Sequence, residues 1–464
     1  MIYNIKDFGA KADGITKATE AIRSAFAKCK EDGGGTVYVP AGKYLTGPVY
    51  LEDNTELNLE AGAELIFSDD IDDYKVVTSR WEGVKRDCYE SCINAYGKSN
   101  ISITGRGTLN GNGRKWWDIF LDGENKYPRP KLIAPYECEH VLIQGVFLTN
   151  SPSWTINTIL CNNVTVDTVS IKNPADSPNT DGIDPESCRN VHISNCHIDV
   201  GDDCIAIKAG TEDTAERVSC ENITITNCTM CHGHGGVVLG SEMSGDVKYV
   251  TISNCVFEGT ERGIRLKSRR GRGGVIEDIR VNNIIMNKVH CPFIANLYYN
   301  CGPKGEEEFV WDKNPRPVTA DTPAYRRLNF SNITCKEASA SAGFFYGLAE
   351  KYVEDCSFED VFVSMTGDGI ADFPAMAKGV EPCKQKGFFL SNVKGIRFSN
   401  FTIKNVDGPA FELENAEKIV FSNCRIEDPV YECEAIILKN TIDDKMLGLI
   451  TKAPFLSGAV TDGR

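Results

Sequence analysis

The sequence predicts an all-β chain wound as a parallel β-helix, and three observations carry that expectation. Equivalent strand starts recur at Val164, Val191, Ile223, Val250 and Ile279, with spacings of 27, 32, 27 and 29 residues, a period typical of solenoids. Each repeat holds short alternating stretches such as Val191-His-Ile193 and Ile205-Ala-Ile207, with no amphipathic helix between them, as expected where each coil covers the core of the next. Composition hardly changes along the 464 residues, which favours a single elongated domain over 1–464 rather than several compact ones.

The open lower end of such a solenoid needs a cover, because a bare terminal coil presents unpaired strand edges. Residues 16–32 supply one. Ala18, Ile22, Ala25, Phe26 and Cys29 recur at helical spacing, Thr16 is the expected N-cap, and Gly33-Gly-Gly35 ends the pattern. Three less periodic segments, 69–92, 113–138 and 297–325, are expected to project as loops that set specificity. Repeats resume in Gly395-Ile-Arg-Phe-Ser-Asn-Phe-Thr-Ile403 and Lys418-Ile-Val-Phe-Ser-Asn-Cys-Arg-Ile426, so the solenoid is expected to run most of the length.

Nineteen cysteines would suggest disulfides in a small secreted domain, but this chain is long and 41% apolar. Several share one phase, Ser194-Asn-Cys196, Thr226-Asn-Cys228, Ser253-Asn-Cys255 and Ser422-Asn-Cys424, and read as small core side chains in a column. The adjoining Asn195, Asn227, Asn254 and Asn423 read as a hydrogen-bonded ladder at a turn. Sequons such as Asn163-Val-Thr arise from the same repeat and carry little weight for glycosylation. No apolar run approaches the length of a membrane span, and the first ten residues lack a basic segment followed by an apolar one. The expectation is a soluble, cytoplasmic protein unless a leader was trimmed.

Four segments fall into register: Asn179-Thr-Asp-Gly-Ile-Asp184, Gly201-Asp-Asp-Cys-Ile-Ala-Ile-Lys208, Gly233-His-Gly-Gly-Val-Val-Leu-Gly240 and Arg262-Gly-Ile-Arg-Leu-Lys267. Placing Ile183, Ile205, Val237 and Ile264 in one core column puts Asp181 one rung from Asp203, and Asp202 one rung from His234. Arg265 and Lys267 share an outward face, with Leu266 toward the core. Asp203 has the parity of buried Ile205, so Gly201 is expected to permit a turn or bulge that swings both acids outward. Taken singly, these acids read as turn formers; together with a histidine and a basic pair they read as a site. Paired carboxylates need a shared proton, a cation or a bound water. A water between Asp181 and Asp203 is poised to lose a proton, while Asp202 protonates a departing sugar oxygen. Inverting glycosidases divide labour in this way, with acid and base ~6.5–9.5 Å apart.

These motifs resemble, in order and spacing, the signature of glycoside hydrolase family 28, the polygalacturonases, and the Val-Val-Leu after Gly-His-Gly-Gly resembles bacterial members. The openings Asp7-Phe-Gly-Ala10 and Gly33-Gly-Gly-Thr-Val-Tyr-Val-Pro-Ala-Gly-Lys-Tyr44 look like those of the family. The resemblance implies a right-handed β-helix that hydrolyses α-1,4-galacturonosyl links of pectin with inversion. It implies Asp202 as general acid, Asp181 and Asp203 as activators of water, His234 as support for the acid, Asn179 as a substrate contact, and Arg265 and Lys267 as binders of the substrate carboxylate. His234 weighs against rhamnogalacturonan hydrolases, although rhamnogalacturonan and xylogalacturonan remain alternative substrates. A β-helical pectate lyase using calcium, or a non-catalytic carbohydrate-binding protein, are the rivals from other classes. No metal motif is evident, and no cofactor is expected.

A formal net charge of −15 repels a polyanion at long range, so attraction to an acidic saccharide must be local, and nucleic acid is not an expected partner. Residues 262–272 hold five arginines and one lysine with no acid, which favours carboxylate recognition over a solvated loop. Trp116 and Trp117 either stack on sugar rings or anchor a loop; Trp154 reads as structural. Exo action is expected, from blockage of one end of the groove by 69–92 and 113–138.

Overall fold

Alternation of apolar and polar residues over five or six positions builds the strands, and their repetition builds the sheets. The computed structural model describes residues 1–431 and 433–442, together with three short strands beyond them, Lys445–Leu447, Ile450–Thr451 and Val460–Asp462; the rest of the predicted solenoid's end lies outside the described residues. Two compact units divide the chain, Met1–Thr229 and Met230–Arg464.

In the first unit, strands pair in parallel with those of the next coil. Val141 pairs with Val164, Val164 with Val191 and Val191 with Ile223, while Ile143, Val166, Ile193 and Ile225 form a second column. These side chains are at most 4% exposed, and each fully buried aliphatic side chain contributes about 1.5–3 kcal/mol. The predicted strand starts at Val164, Val191 and Ile223 are thus register partners. At the turns, Asn227 donates to Asn195 (3.3 Å), and Asn222 to Asn190, which donates to Asn162. All of these but Asn162 are left-handed, with φ near +57°, a conformation asparagine tolerates better than most residues. A cysteine column not foreseen runs beside them: the backbone N–H groups of Cys138, Cys161 and Cys188 donate to the Sγ of Cys161, Cys188 and Cys220 at 3.3–3.4 Å.

The helix predicted at 16–32 forms over Thr19–Glu31, burying Ala21, Ile22, Ala25, Phe26 and Cys29 against strands that include Ile2–Asn4 and Gly35–Val39. Thr16 is not its N-cap. The Thr16 hydroxyl donates to Asp13 instead (2.7 Å), and Ala18 precedes the helix without a side-chain cap. Segment 69–92 is an antiparallel hairpin, Val76–Trp81 with Val84–Tyr89, and 113–138 contains the helix Arg114–Leu121.

In the second unit the columns continue by the same rule. Val250 pairs with Ile279 and Ile279 with Leu328, and the two late repeats pair through Phe398 with Phe421 and Ile403 with Ile426. Phe330, Phe358, Phe398 and Phe421 stack face to face at 4.7, 5.0 and 5.2 Å. The asparagine ladder holds here too, Asn332 to Asn283, Asn283 to Asn254 and Asn423 to Asn400. In both units Cys196, Cys228, Cys255 and Cys424 are buried, each with its thiol toward the carbonyl two residues back.

Candidate active site

Three aspartates converge in the first unit. Asp181 precedes the strand Ile183–Glu186, and Asp202 and Asp203 occupy the bend between His197–Val200 and Ile205–Ile207. The Gly182 N–H donates to the Asp203 carbonyl (3.0 Å), the Ile183 N–H to that of Cys204 (3.1 Å), and Ile183 pairs with Ile205. The acids are therefore one rung apart, and carboxylate oxygens of all three lie within 4.8 Å of one another.

Asp202 is half-buried and accepts from the Asp203 N–H at 2.8 Å. Asp203, expected to swing outward, is 1% exposed, and Asp181 is 3% exposed. The reason is the segment that folds over the bend: a Cβ on Gly201 would lie 2.7–2.9 Å from the carbonyl oxygens of Pro174, Ala175 and Ser177. Glycine is required here for close backbone approach rather than for a left-handed turn.

Buried charges surround the cluster. Lys208 Nζ lies 3.5 Å from Asp181 and 4.0 Å from Asp184, and sits 4.8 Å from the Trp154 ring. At such range an ion pair is worth on the order of 4 kcal/mol at an effective dielectric of 20, against which desolvation of both ions counts. Trp154 stacks on Trp81 of the hairpin at 4.5 Å, which agrees with its structural reading. From the same hairpin Arg80 pairs with buried Glu186 (2.6 Å). Lys131 donates to Asn157 (2.6 Å) and the Arg80 carbonyl (2.7 Å), and burial pulls its pKa down to about 8 against the attraction of Glu186. The spacing of the three aspartates would also admit a cation, although acid clusters alone do not specify one.

Arg129 was not identified from sequence. It lies in Pro128-Arg-Pro130 and is 2% exposed. It donates to Asn179 Oδ1 (2.7 Å) and to the carbonyls of Pro152 and Pro178, and it stacks 4.0 Å from Phe120. Burial lowers its pKa to about 10, opposed by attraction to Asp181 and Asp202. The only local signal is an arginine held extended between two prolines. Trp116 and Trp117 anchor the loop rather than present faces to a sugar: Trp116 packs on Tyr74 and Tyr89, and Trp117 Nε1 donates to the Ser151 carbonyl (2.9 Å).

In the second unit, Val237 pairs with Ile264 and Leu239 with Leu266, while Arg265 and Lys267 alternate with these core residues as predicted. Both cations face Tyr299, at 5.9 and 5.5 Å from its ring, and burial pushes the Tyr299 hydroxyl up to about 12. His234 is exposed on the bend before Val237–Gly240. The basic stretch 262–272 is less available than expected. Arg262 is held by Glu261, Asp372 (3.2 Å) and the Phe373 carbonyl, and Arg270 pairs with Glu350 (2.6 Å).

The profile of glycosyl hydrolases family 28 matches residues 29–372. The chain belongs to this family. It is therefore a glycoside hydrolase, which removes the lyase and the non-catalytic binder as readings. It is 36% identical over 351 residues to a probable polygalacturonase of Vitis vinifera, covering 73% of this chain and 70% of that protein. An endo-polygalacturonase of Pectobacterium carotovorum subsp. carotovorum is 31% identical over 340 residues, covering 69% and 82%. Among solved structures, a hyperthermoactive exopolygalacturonase from Thermotoga maritima superposes with a TM-score of 0.71 at 29% identity, covering 83% of this chain and 94% of that one. The fold is that of the right-handed parallel β-helices of polygalacturonase structures. The cytoplasmic expectation is corrected, because homologous polygalacturonases are secreted, extracellular or periplasmic enzymes. It rested on the first residues of the chain, which say nothing about a leader ahead of them. Among the described residues no helix is long and apolar enough to cross a membrane.

Proposed function

We propose that this pectin-degrading hydrolase cleaves α-1,4-galacturonosyl linkages of polygalacturonate or oligogalacturonides from a chain end. The observation that carries the reading is the convergence of Asp181, Asp202 and Asp203. Asp202, the most exposed of the three, delivers the proton to the leaving oxygen. Asp181 and Asp203 hold the water and take its proton. Lys208 keeps Asp181 ionised for that task, since a nearby cation favours the charged carboxylate. Arg129 orients Asn179 toward the saccharide. By motif order, His234 supports the acid, and Arg265 and Lys267 receive the substrate carboxylate.

Exo action draws its support from the hairpin Val76–Tyr89 and the segment carrying Arg129, which bring Arg80 and Arg129 up beside the acid-bearing coils. Inversion is the reading of the resemblance, with Asp202 as acid and the water held by Asp181 and Asp203.

The test is incubation with polygalacturonate and with oligogalacturonides, chelator present, following reducing ends, viscosity, ultraviolet absorbance and the anomer of the first product. Expected are reducing ends without unsaturated product, release of monomer or dimer with slow viscosity loss, and a β-anomer from the α-link. Asp202→Asn is expected to lower turnover roughly 10²–10⁴-fold. Rapid viscosity loss with mixed oligomers refutes exo action, and an α-anomer refutes inversion.

A further inference from the structure

The segment 372–378 lies against Arg265 and is tied down along its length. The Asp372 carboxylate meets Arg262 Nη2 (3.2 Å) and His290 Nδ1 (2.8 Å), and its backbone exchanges hydrogen bonds with Cys383 at 2.9 and 3.1 Å. The Phe373 carbonyl accepts from Arg262. Asn296 Nδ2 donates to the Met376 carbonyl (2.9 Å), Ala377 forms an antiparallel bridge with Tyr299, and Lys378 Nζ stands 3.9 Å from the Trp311 ring. With the backbone held on both sides of Met376, its thioether rests on the guanidinium: Arg265 Nη2 donates to Met376 Sδ at 3.4 Å.

The contact joins a shielded cation to an accessible sulfur. Arg265 is 5% exposed and Met376 is 40% exposed. Met230, Met243, Met286 and Met365 are at most 2% exposed, and Met1, exposed as well, has its sulfur against the Tyr3 hydroxyl (3.5 Å). An oxidant in solvent therefore meets Met376 well before any of the four buried methionines. A thioether is a weak acceptor, so the guanidinium gives up little when it turns to a carboxylate. A sulfoxide differs, because it places a polar oxygen on the same sulfur beside a charged donor.

We propose that Met376 is an oxidation site for hydrogen peroxide, and that its sulfoxide weakens carboxylate binding at Arg265 until it is reduced again. In the step the thioether sulfur attacks a peroxide oxygen: the S–O bond forms, the O–O bond breaks, and sulfur gives up two electrons to the peroxide. The proton of the transferred hydroxyl passes to the departing hydroxide, which leaves as water. The sulfoxide oxygen then accepts from Arg265 in competition with the galacturonate carboxylate. Two thiols, oxidised to a disulfide, return the sulfur to the thioether and release the oxygen as water. The proposal rests on the reading of Arg265 as a binder of the substrate carboxylate and adds a means of regulating that contact.

The experiment treats the full chain with dilute hydrogen peroxide, follows oxygen addition peptide by peptide by mass spectrometry, and measures kcat and KM on oligogalacturonides, each protein being compared with its own untreated state. Expected are oxygen addition at Met376 ahead of the buried methionines, a roughly tenfold rise in KM with kcat within twofold, an unchanged melting temperature, and recovery after methionine sulfoxide reductase with thiol. Met376→Leu, which keeps the volume without the sulfur, should show no rise. A KM that stays constant once Met376 is oxidised, or that rises equally in treated Met376→Leu protein, overturns the proposal, as does a Met376 left intact while Met286 reacts. Arg265→Gln separates the proposal from the reading beneath it. An untreated KM equal to the parent's removes the reading of Arg265 as a carboxylate binder, whereas a raised KM that climbs a further tenfold on oxidation removes the route through Arg265 alone. An untreated parent enzyme that releases no reducing ends from any galacturonan removes the functional reading itself, and the proposal with it.

Discussion

Replacing Gly182 by alanine tests whether the approach of two coils sets the geometry of the acids. A Cβ at Gly182 would lie 2.4 Å from the Cys204 carbonyl oxygen and 2.7 Å from Ile198 Cγ2. Ordinary contact begins near 3.4 Å, so the coils must part by about 1 Å, a displacement that overpacked interiors resist. The bonds that would stretch, Gly182 N–H to Asp203 O and Ile183 N–H to Cys204 O, adjoin Asp181 and Asp203 directly. A shift of ~1 Å in reacting groups costs about 10² in rate, and overpacking costs about 1–3 kcal/mol of stability. The assay is reducing-end release at saturating oligogalacturonide, with thermal melting alongside and Gly47→Ala as the control, since a Cβ there meets nothing closer than 3.5 Å. The expected result is a roughly hundredfold fall in kcat for a folded variant melting a few degrees lower. A folded Gly182→Ala enzyme within threefold of the parent refutes the argument that coil spacing fixes the acids.

Two further perturbations follow from the packing. Asn195→Ala loses a left-handed asparagine at φ +57° and its bonds with Asn227 (3.3 Å) and Asp167 (2.8 Å); urea denaturation should show a loss of about 2 kcal/mol, with Asn195→Gly recovering about half. Lys131, whose pKa is pulled down to about 8 by burial, sheds its proton in the folded chain while the unfolded chain keeps one up to about 10.5. Stability therefore rises with pH between those values, by up to about 1.4 kcal/mol per pH unit from this group. Lys131→Met should remove that rise from the stability profile, and parallel profiles for parent and variant would refute it.

What the sequence makes legible is what repeats. The partners Val164, Val191 and Ile223, and Ile183 with Ile205, were readable because each coil must present the same face to the next, so one spacing error would turn a whole strand outward. The asparagine ladder was readable for the same reason, since its side chains bond only to their counterparts one coil away. Insertions obey no such rule. Arg80 reaches Glu186 across 106 positions and Arg129 reaches Asn179 across 50, each carried there by a segment that leaves the repeat and folds back. Parity did place Asp203 with buried Ile205, and the outward swing expected in its stead fails because 174–177 covers Gly201. The basic stretch misled in the opposite sense: a run of arginines reads as a binding surface until Asp372 and Glu350, about 110 and 80 residues away, prove to hold two of them.

The buried ions also bear on how an acidic protein works on an acidic polymer. Net charge of −15 slows approach, but recognition is decided where field lines are confined, and there the cations are inside rather than on the surface. Lys208, Lys131, Arg80 and Arg129 are each at most 5% exposed, so salt screens them poorly. Three aspartates with oxygens within 4.8 Å of one another repel one another when charged. Under the proposed roles, the buried Lys208, 3.5 Å from Asp181, offsets part of that repulsion from the protein side, while Asp202 is the carboxylate least buried. The proposed division of roles among chemically identical residues thus rests on burial and on which acid lies against Lys208, not on any difference in the acids themselves.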